Sequence, residues 1–252
     1  MADLLTTRAP AAVKELVARH PKLVISLSSI ASVLAVSYPA LSRNYQAYKD
    51  LGKGALPVNI FGWAVACMIH PFGRETRSTA VYDKYSSESW LGEPDFPVRQ
   101  SPRPKMGWHF PPQRQADQIP SEEMKLEIVK TFFQIAVDNV KLVGIAGSLA
   151  ERVHAAMYVR GPPPHAAAAQ IKGEIGHVHA DVDYSMHLVL SPRDCKLVIE
   201  HGWGERHPMS GTRVLPVEDL LIYAPRDQEE LAVVQRIIKA SVGFMTNSRE
   251  VV

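Results

Sequence analysis

From Leu23 to Ser42 the chain runs twenty residues without a charge, LVISLSSIASVLAVSYPALS. As a helix, at about 1.5 Å per residue, that stretch measures roughly 30 Å, the thickness of a bilayer's hydrocarbon core. Three fates are open to it: spanning a membrane, removal as a signal peptide, or burial in a soluble core. Scattered serines and Pro39 weaken the hydrophobicity, yet a serine hydroxyl can bond back to the helix backbone inside lipid. A signal peptide would normally have a shorter basic lead than the 22 residues here, although Ala35-Val36-Ser37 is a passable cleavage site. A soluble helix would show polar residues at a spacing of 3.6. The length therefore favours a lead over residues 1–22, a single membrane anchor over 23–42, and one domain over 43–252. Basic residues flank both ends (Lys14, Arg19 and Lys22 before, Arg43, Lys49 and Lys53 after), so the orientation stays open.

Composition removes several function classes. Across 252 residues, 28 Lys+Arg against 26 Asp+Glu leave a formal +2, too little for a nucleic-acid partner held by charge. Two distant cysteines, Cys67 and Cys195, exclude a disulfide scaffold and a Cys-rich zinc site. No phosphate-binding glycine loop, dinucleotide fingerprint or G-x-S-x-G is present. Histidine is the compositional excess: of ten, five fall between 177 and 207.

The pattern beyond the anchor is α+β: a small mixed or antiparallel sheet covered by helices. Ile60 to Ile69 is too short to span and reads either as a core helix or as a surface-lying segment beside the anchor. The proline-rich stretch from Gly92 to Pro120 reads as an extended, wrapping connection, part of which packs through Trp108, His109 and Phe110. Ser121 caps a helix whose stripe is Met124, Ile128, Val129, Phe132 and Ile135. Val153 to Val159 alternates as a strand with His154, Ala156 and Tyr158 on one face. Ala166 to Glu174 reads as an alanine-rich helix stopped at Gly176. Tyr184 to Leu190 is a second strand, with Ser185, His187 and Val189 facing away from Tyr184, Met186, Leu188 and Leu190. Ser191 caps a helix with Cys195, Val198 and Ile199 on its buried stripe, which makes that cysteine structural. Leu220 to Ala224 is a short buried strand. Asp227 and Glu230 form a capping box for a last helix, ended by Gly243.

Candidate chemistry gathers in the second half. His177 and His179 share a face only where the chain is extended, and His187 lies on the polar side of its strand, so all three can meet in one pocket. With Asp181 or Asp183 they are also the right ligand types for zinc or non-haem iron, though H-x-H alone is weak support for a metal. The loop Gly202-Trp203-Gly204-Glu205-Arg206-His207-Pro208 sets an aromatic, a guanidinium and an imidazole within five residues; the plain alternative makes Trp203 a core plug.

The stretches EIGHVHADVDYSMHLVL, GWGERHPMSG and IYAPRDQEELAVVQRIIKASVGFMTN resemble the luciferase-domain family, and within it the fungal luciferases that oxidise 3-hydroxyhispidin. The likeness is strong over 174–247 and recognisable at VHAAMYV and FGWAVACMIHPFGRETRSTAVYDK. It is weak over 92–147, and the proline- and alanine-rich stretch at 161–169 departs from the family. The resemblance implies an oxygenase-type oxidoreductase, a monooxygenase of secondary metabolism, that uses O2 as co-substrate and no cofactor or metal. It implies catalytic roles for His177, His179, His187, Arg206 and His207, and substrate contacts from His154, Tyr158, Trp203, Tyr223 and Arg226. Histidine suits the base by its intrinsic pKa, Arg206 or Arg226 the developing negative charge, and Trp203 and Tyr223 a water-excluding wall. The expected partners are a small-molecule substrate and the membrane; the expected location is single-pass in the endoplasmic reticulum or another endomembrane. A His-ligated metalloenzyme and a membrane-tethered binding protein without turnover remain the alternatives.

Overall fold

The computed structural model describes residues 15, 17–85, 88–92 and 95–252, so most of the N-terminal lead lies outside the described residues. The chain divides into two units between Ala47 and Tyr48. In the first, the uncharged stretch lies within one helix, α1 (Pro21–Asp50), with Pro39 inside it. None of its most apolar 18-residue window is buried.

The second unit is built on a six-stranded antiparallel sheet. Its strands are β1 (Val143–Gly147), β2 (Ala155–Val159), β3 (Glu174–Val178), β4 (Met186–Val189), β5 (Gly204–Arg206) and β6 (Asp219–Ile222), in the order β1-β2-β3-β4-β6-β5. The α+β reading therefore holds, with every pairing antiparallel. The helices are α2 (Ile60–Ile69), α3 (Glu122–Asp138), α4 (Ala166–Gln170), α5 (Pro192–Glu200) and α6 (Gln228–Thr246). Helix α6 lies against β2, β3 and β4, with α3 packed on both α6 and β1. Met157, Val178, Met186, Leu188, Leu220 and Ile222 meet the stripes Ile128, Phe132, Ile135 and Val234, Ile238, Val242 in one apolar core. Ser241 Oγ donates to the Val189 carbonyl at 2.8 Å, pinning α6 to β4.

The expected caps are in place. Ser121, Ser191 and Asp227 accept from the backbone N–H three residues on, at Met124, Asp194 and Glu230. Cys195 is fully buried, its Sγ 3.5 Å from the Leu190 carbonyl, a packing role. Residues 95–120 form no helix or strand beyond one bridge between Met106 and Gln115, and Phe96, His109, Phe110, Arg114 and Gln115 are buried. The connection wraps and packs.

Several element boundaries differ from the sequence reading, the three expected strands among them by one or two residues at an end. The alanine-rich helix stops at Gln170, because Lys172 and Gly173 both turn left-handed (φ 53° and 80°), and Glu174 already begins β3. Gly176 is thus a strand residue: a Cβ there would stand 2.2 Å from the His187 carbonyl oxygen on β4. The last helix runs through Gly243, where the missing Cβ makes room for the Trp90 ring, and ends at left-handed Asn247 (φ 51°). Strands β1 and β5 come from a segment and a loop in which the sequence reading placed no strand.

Helix α2 divides the two readings of its segment. Asn59 caps it by accepting from the Gly62 N–H at 3.1 Å, and Gly62 and Ala66 are buried. Ile60, Phe61 and Met68, with Phe72 just beyond, are exposed.

Candidate active site

The sheet's second face carries the polar cluster. Strand register sets Ala156 opposite His177 on β2–β3, and His177 opposite His187 on β3–β4. Between β2 and β3 the register slips: Met157 faces Gly176 while Tyr158 faces Glu174, so Ile175 is an extra residue in a bulge. The bulge turns Glu174 onto the same face as His177, where simple alternation would have pointed it away. His179 follows β3 in extended conformation, its N–H donating to the Ser185 carbonyl at 2.9 Å. His177 and His179 therefore share a face, as the extended-chain condition requires.

Five imidazoles meet there. Ring centroids lie 5.3 Å apart for His177 and His179, 5.4 Å for His177 and His187, and 5.0 Å for His179 and His187. His154 stands 5.7 Å from His179 and His207 5.3 Å from His187. All five are buried. A cavity of about 480 Å³, the size that takes a drug-like ligand, is lined by His177, His187 and His207 together with Pro111, Leu149, Ile175, Met209 and Leu215.

Carboxylates stand behind the rings. Glu174 Oε1 lies 2.9 Å from His177 Nδ1 and accepts from Ser148 Oγ at 2.7 Å; its Oε2 accepts from the Leu149 N–H at 2.8 Å. The Tyr158 hydroxyl is 3.0 Å from the same Oε2, so Tyr158 supports Glu174. Asp183 Oδ1 lies 3.1 Å from His179 Nδ1, and its Oδ2 accepts from Ser185 Oγ and the Gln115 N–H. Asp219 Oδ1 is 3.4 Å from His187 Nδ1. Glu151, paired with the fully buried Arg114, sits 3.4 Å from His154 Nε2 and 3.9 Å from His179 Nε2. Burial opposes charge on Glu151, but the contact from His154 and the fields of His179 and Arg114 outweigh it and hold its carboxyl well below the usual range. Burial raises Asp183. Burial, with Arg114 nearby, pushes His179 well below its ordinary value; burial and His187 do the same to His207, so both rings are neutral near pH 7. His207 Nδ1 accepts from the Met209 N–H at 3.0 Å, which places the proton of the neutral ring on Nε2.

The remaining expected site residues fall elsewhere. Arg206 lies opposite Leu220 in the strand register, on the core side, and its guanidinium is tied to the Glu75 carbonyl at 2.7 Å and carboxylate at 3.1 Å. Arg226 pairs with Glu230 and Ser101. Trp203 is a core plug after all, donating from Nε1 to the Pro97 carbonyl at 2.7 Å. The Tyr223 hydroxyl donates to Glu205 Oε2 at 2.9 Å, away from the cavity lining. In their place the structure brings in Arg114, Glu151, Glu174 and Asp219. A fully buried arginine in a proline-rich connection leaves no periodic trace in sequence; Glu174, three residues before His177, was the one readable hint.

The luciferase-domain family model matches residues 172–241, the span from β3 into α6 that carries His177, His179, His187 and His207. A luciferase of Armillaria mellea is 35% identical over 243 residues, covering 91% of this chain and 90% of that protein. The chain belongs to the luciferase-domain family. A luciferase of Armillaria gallica is 34% identical over the same length, and one of Neonothopanus nambi is 32% identical over 227 residues, 84% of each chain. Kinship over nine-tenths of the length extends well beyond the residues that the family model matches. No solved structure matches the chain.

Proposed function

We propose that this luciferase-family protein is a membrane-anchored oxygenase that uses O2 to oxidise a hydroxypyranone of the 3-hydroxyhispidin type, or a related polyketide or phenolic. The reading rests on the kinship with fungal luciferases, joined to a mostly apolar cavity lined in part by imidazoles. In this chemistry the enol loses a proton, the enolate reacts with O2, and a peroxide-bridged intermediate releases CO2. An imidazole of the cluster takes the enol proton. His207, with its proton on Nε2, donates to the oxyanion that develops. Arg206 does not supply positive charge, since Glu75 holds it on the other face of the sheet. Leu149, Ile175, Met209 and Leu215 exclude water around the intermediate. Neither flavin nor nicotinamide takes part. Light is a separate property, because emission requires a product formed in its excited state. Helix α1 is the single-pass anchor, in an endomembrane.

The test is oxygen uptake by the detergent-solubilised protein with a panel of 3-hydroxy-2-pyranones and phenolics, light being recorded in parallel. Uptake above an enzyme-free control, with CO2 released in step, is the expected result. Saturable binding without uptake across the panel would replace the enzyme with a binding protein.

A further inference from the structure

We propose that His177, His179 and His187 bind one divalent first-row transition-metal ion at the floor of the cavity. This departs from the metal-free expectation that the resemblance carried, and three observations lead to it. Each ring offers a nitrogen within 4.8 Å of the other two. Closing such a triangle onto an ion at about 2.1 Å from each nitrogen draws each ring inward by under about 1 Å. In two of the rings Nδ1 sits against a carboxylate, Glu174 at 2.9 Å for His177 and Asp183 at 3.1 Å for His179; His187 Nδ1 lies 3.4 Å from Asp219 Oδ1 without a hydrogen bond between them. For His177 and His179 the carboxylate fixes the proton on Nδ1 and leaves Nε2 as a lone pair, the arrangement that orients histidines onto metals. The Nε2 atoms of His177 and His179 are buried without any hydrogen-bond partner, and His187 Nδ1 and Asp219 Oδ1 are likewise unsatisfied.

Unpartnered buried polar atoms are costly, and lone pairs converging with no donor between them repel. A cation removes both penalties. The charges agree: among the described residues none of the carboxylates of Glu174, Asp183 and Asp219 pairs with a lysine or arginine, so a doubly positive ion has negative charge to balance it. Three neutral imidazoles suit zinc, iron, cobalt, nickel or copper better than magnesium or calcium. His177 and His187 line the cavity, so the remaining coordination positions face the space where a ligand sits. There the ion would supply the positive charge that Arg206 does not. Binding itself is independent of the pyranone reading and is measured without substrate.

The full-length protein, solubilised in detergent, is stripped with a chelator, dialysed and titrated separately with Zn(II), Co(II) and Fe(II), the last under anaerobic conditions. The expected result is close to one ion per chain for at least one metal, with an unfolding midpoint that rises with its concentration. If cobalt is that metal, its absorption bands should report nitrogen ligation. His177→Ala and His179→Ala should each lose at least 100-fold in affinity, while Trp108→Ala, outside the cluster, keeps it. Glu174→Gln, which retains all three ligands, should cost 10- to 100-fold by loosening His177. Less than a tenth of an ion per chain with every metal would overturn the proposal. So would an ion still bound at full affinity when His177 and His179 are both replaced. Because the first readout uses the unsubstituted protein, a variant that fails to fold does not rescue the idea.

Discussion

Arg114 and Glu151 show how much a single buried pair can fix. The guanidinium is wholly enclosed; its Nη1 donates to Glu151 Oε1 at 3.0 Å and its Nη2 to the Lys53 carbonyl at 2.9 Å. One pair thus ties together the wrapping connection, the segment after α1 and the loop ahead of β2. Glu151→Gln would leave a buried, unmatched cation and should cost about 3–5 kcal/mol. Replacing both at once, Arg114→Met with Glu151→Leu, should cost far less, since no charge is then stranded. Unfolding midpoints of the four proteins in the cycle check this, and equal losses in the single and double variants would contradict it. At this scale the sequence is readable where a local period governs the side chain. His177 and His179 share a face because alternation in an extended chain demands it, and His187 joins them by the same rule. Arg114 and Glu151 meet across 37 positions, and no local pattern announces such a contact. Arg206 misleads for the same reason: its motif places it beside His207, while the pleat sends successive side chains to opposite faces.

Elements were legible where a cap and a stripe agreed, as in α3, α5 and α6. They were not where backbone proximity set the residue. Gly176 resembles a helix stop in a string of letters, yet it lets β3 approach β4 closely enough to bring His177 against His187. Gly176→Ala should push the strands apart, costing about 1–3 kcal/mol, and should lower activity more than stability explains. Assays well below the unfolding midpoint separate the two effects; full activity in a folded Gly176→Ala protein would show that the close approach is not needed. Asp227 offers a cleaner test of a cap. Its side chain accepts from the Glu230 N–H at 2.8 Å at the start of α6, the helix that backs the sheet. Asp227→Ala should lose about 1 kcal/mol, whereas Asp227→Asn should keep most of it. Equal stability of the two variants would remove the cap from the account of the fold. Strand β5 escaped notice because its three residues, Gly204 to Arg206 just ahead of His-Pro, are too few to show alternation; only its pairing with β6 makes it a strand.

Across the whole molecule, two apolar features bear on where the protein resides. The apolar window of α1 is long enough to span a bilayer and is not buried within the protein. Soon after it in sequence, Ile60, Phe61, Met68 and Phe72 expose apolar side chains within one short stretch of the second unit. Isolated exposed apolar residues are ordinary, but a cluster of them marks a contact surface. A short helix of this kind can lie in the headgroup region without crossing it. Deleting residues 1–42 should therefore release the protein from membranes at high salt while leaving a weak, salt-insensitive affinity for lipid vesicles. Phe61→Ser with Phe72→Ser in that truncated chain should abolish the residue of binding, each phenylalanine contributing up to about 1.5–3 kcal/mol when fully buried. Flotation through a density gradient with neutral vesicles measures both steps. Full-length protein that remains soluble without detergent would remove the anchor, and truncated protein that never floats would remove the lipid contact of α2 while leaving the anchor intact. The two outcomes separate because the span acts by length and the short helix only by exposed area, so either one can fail while the other stands.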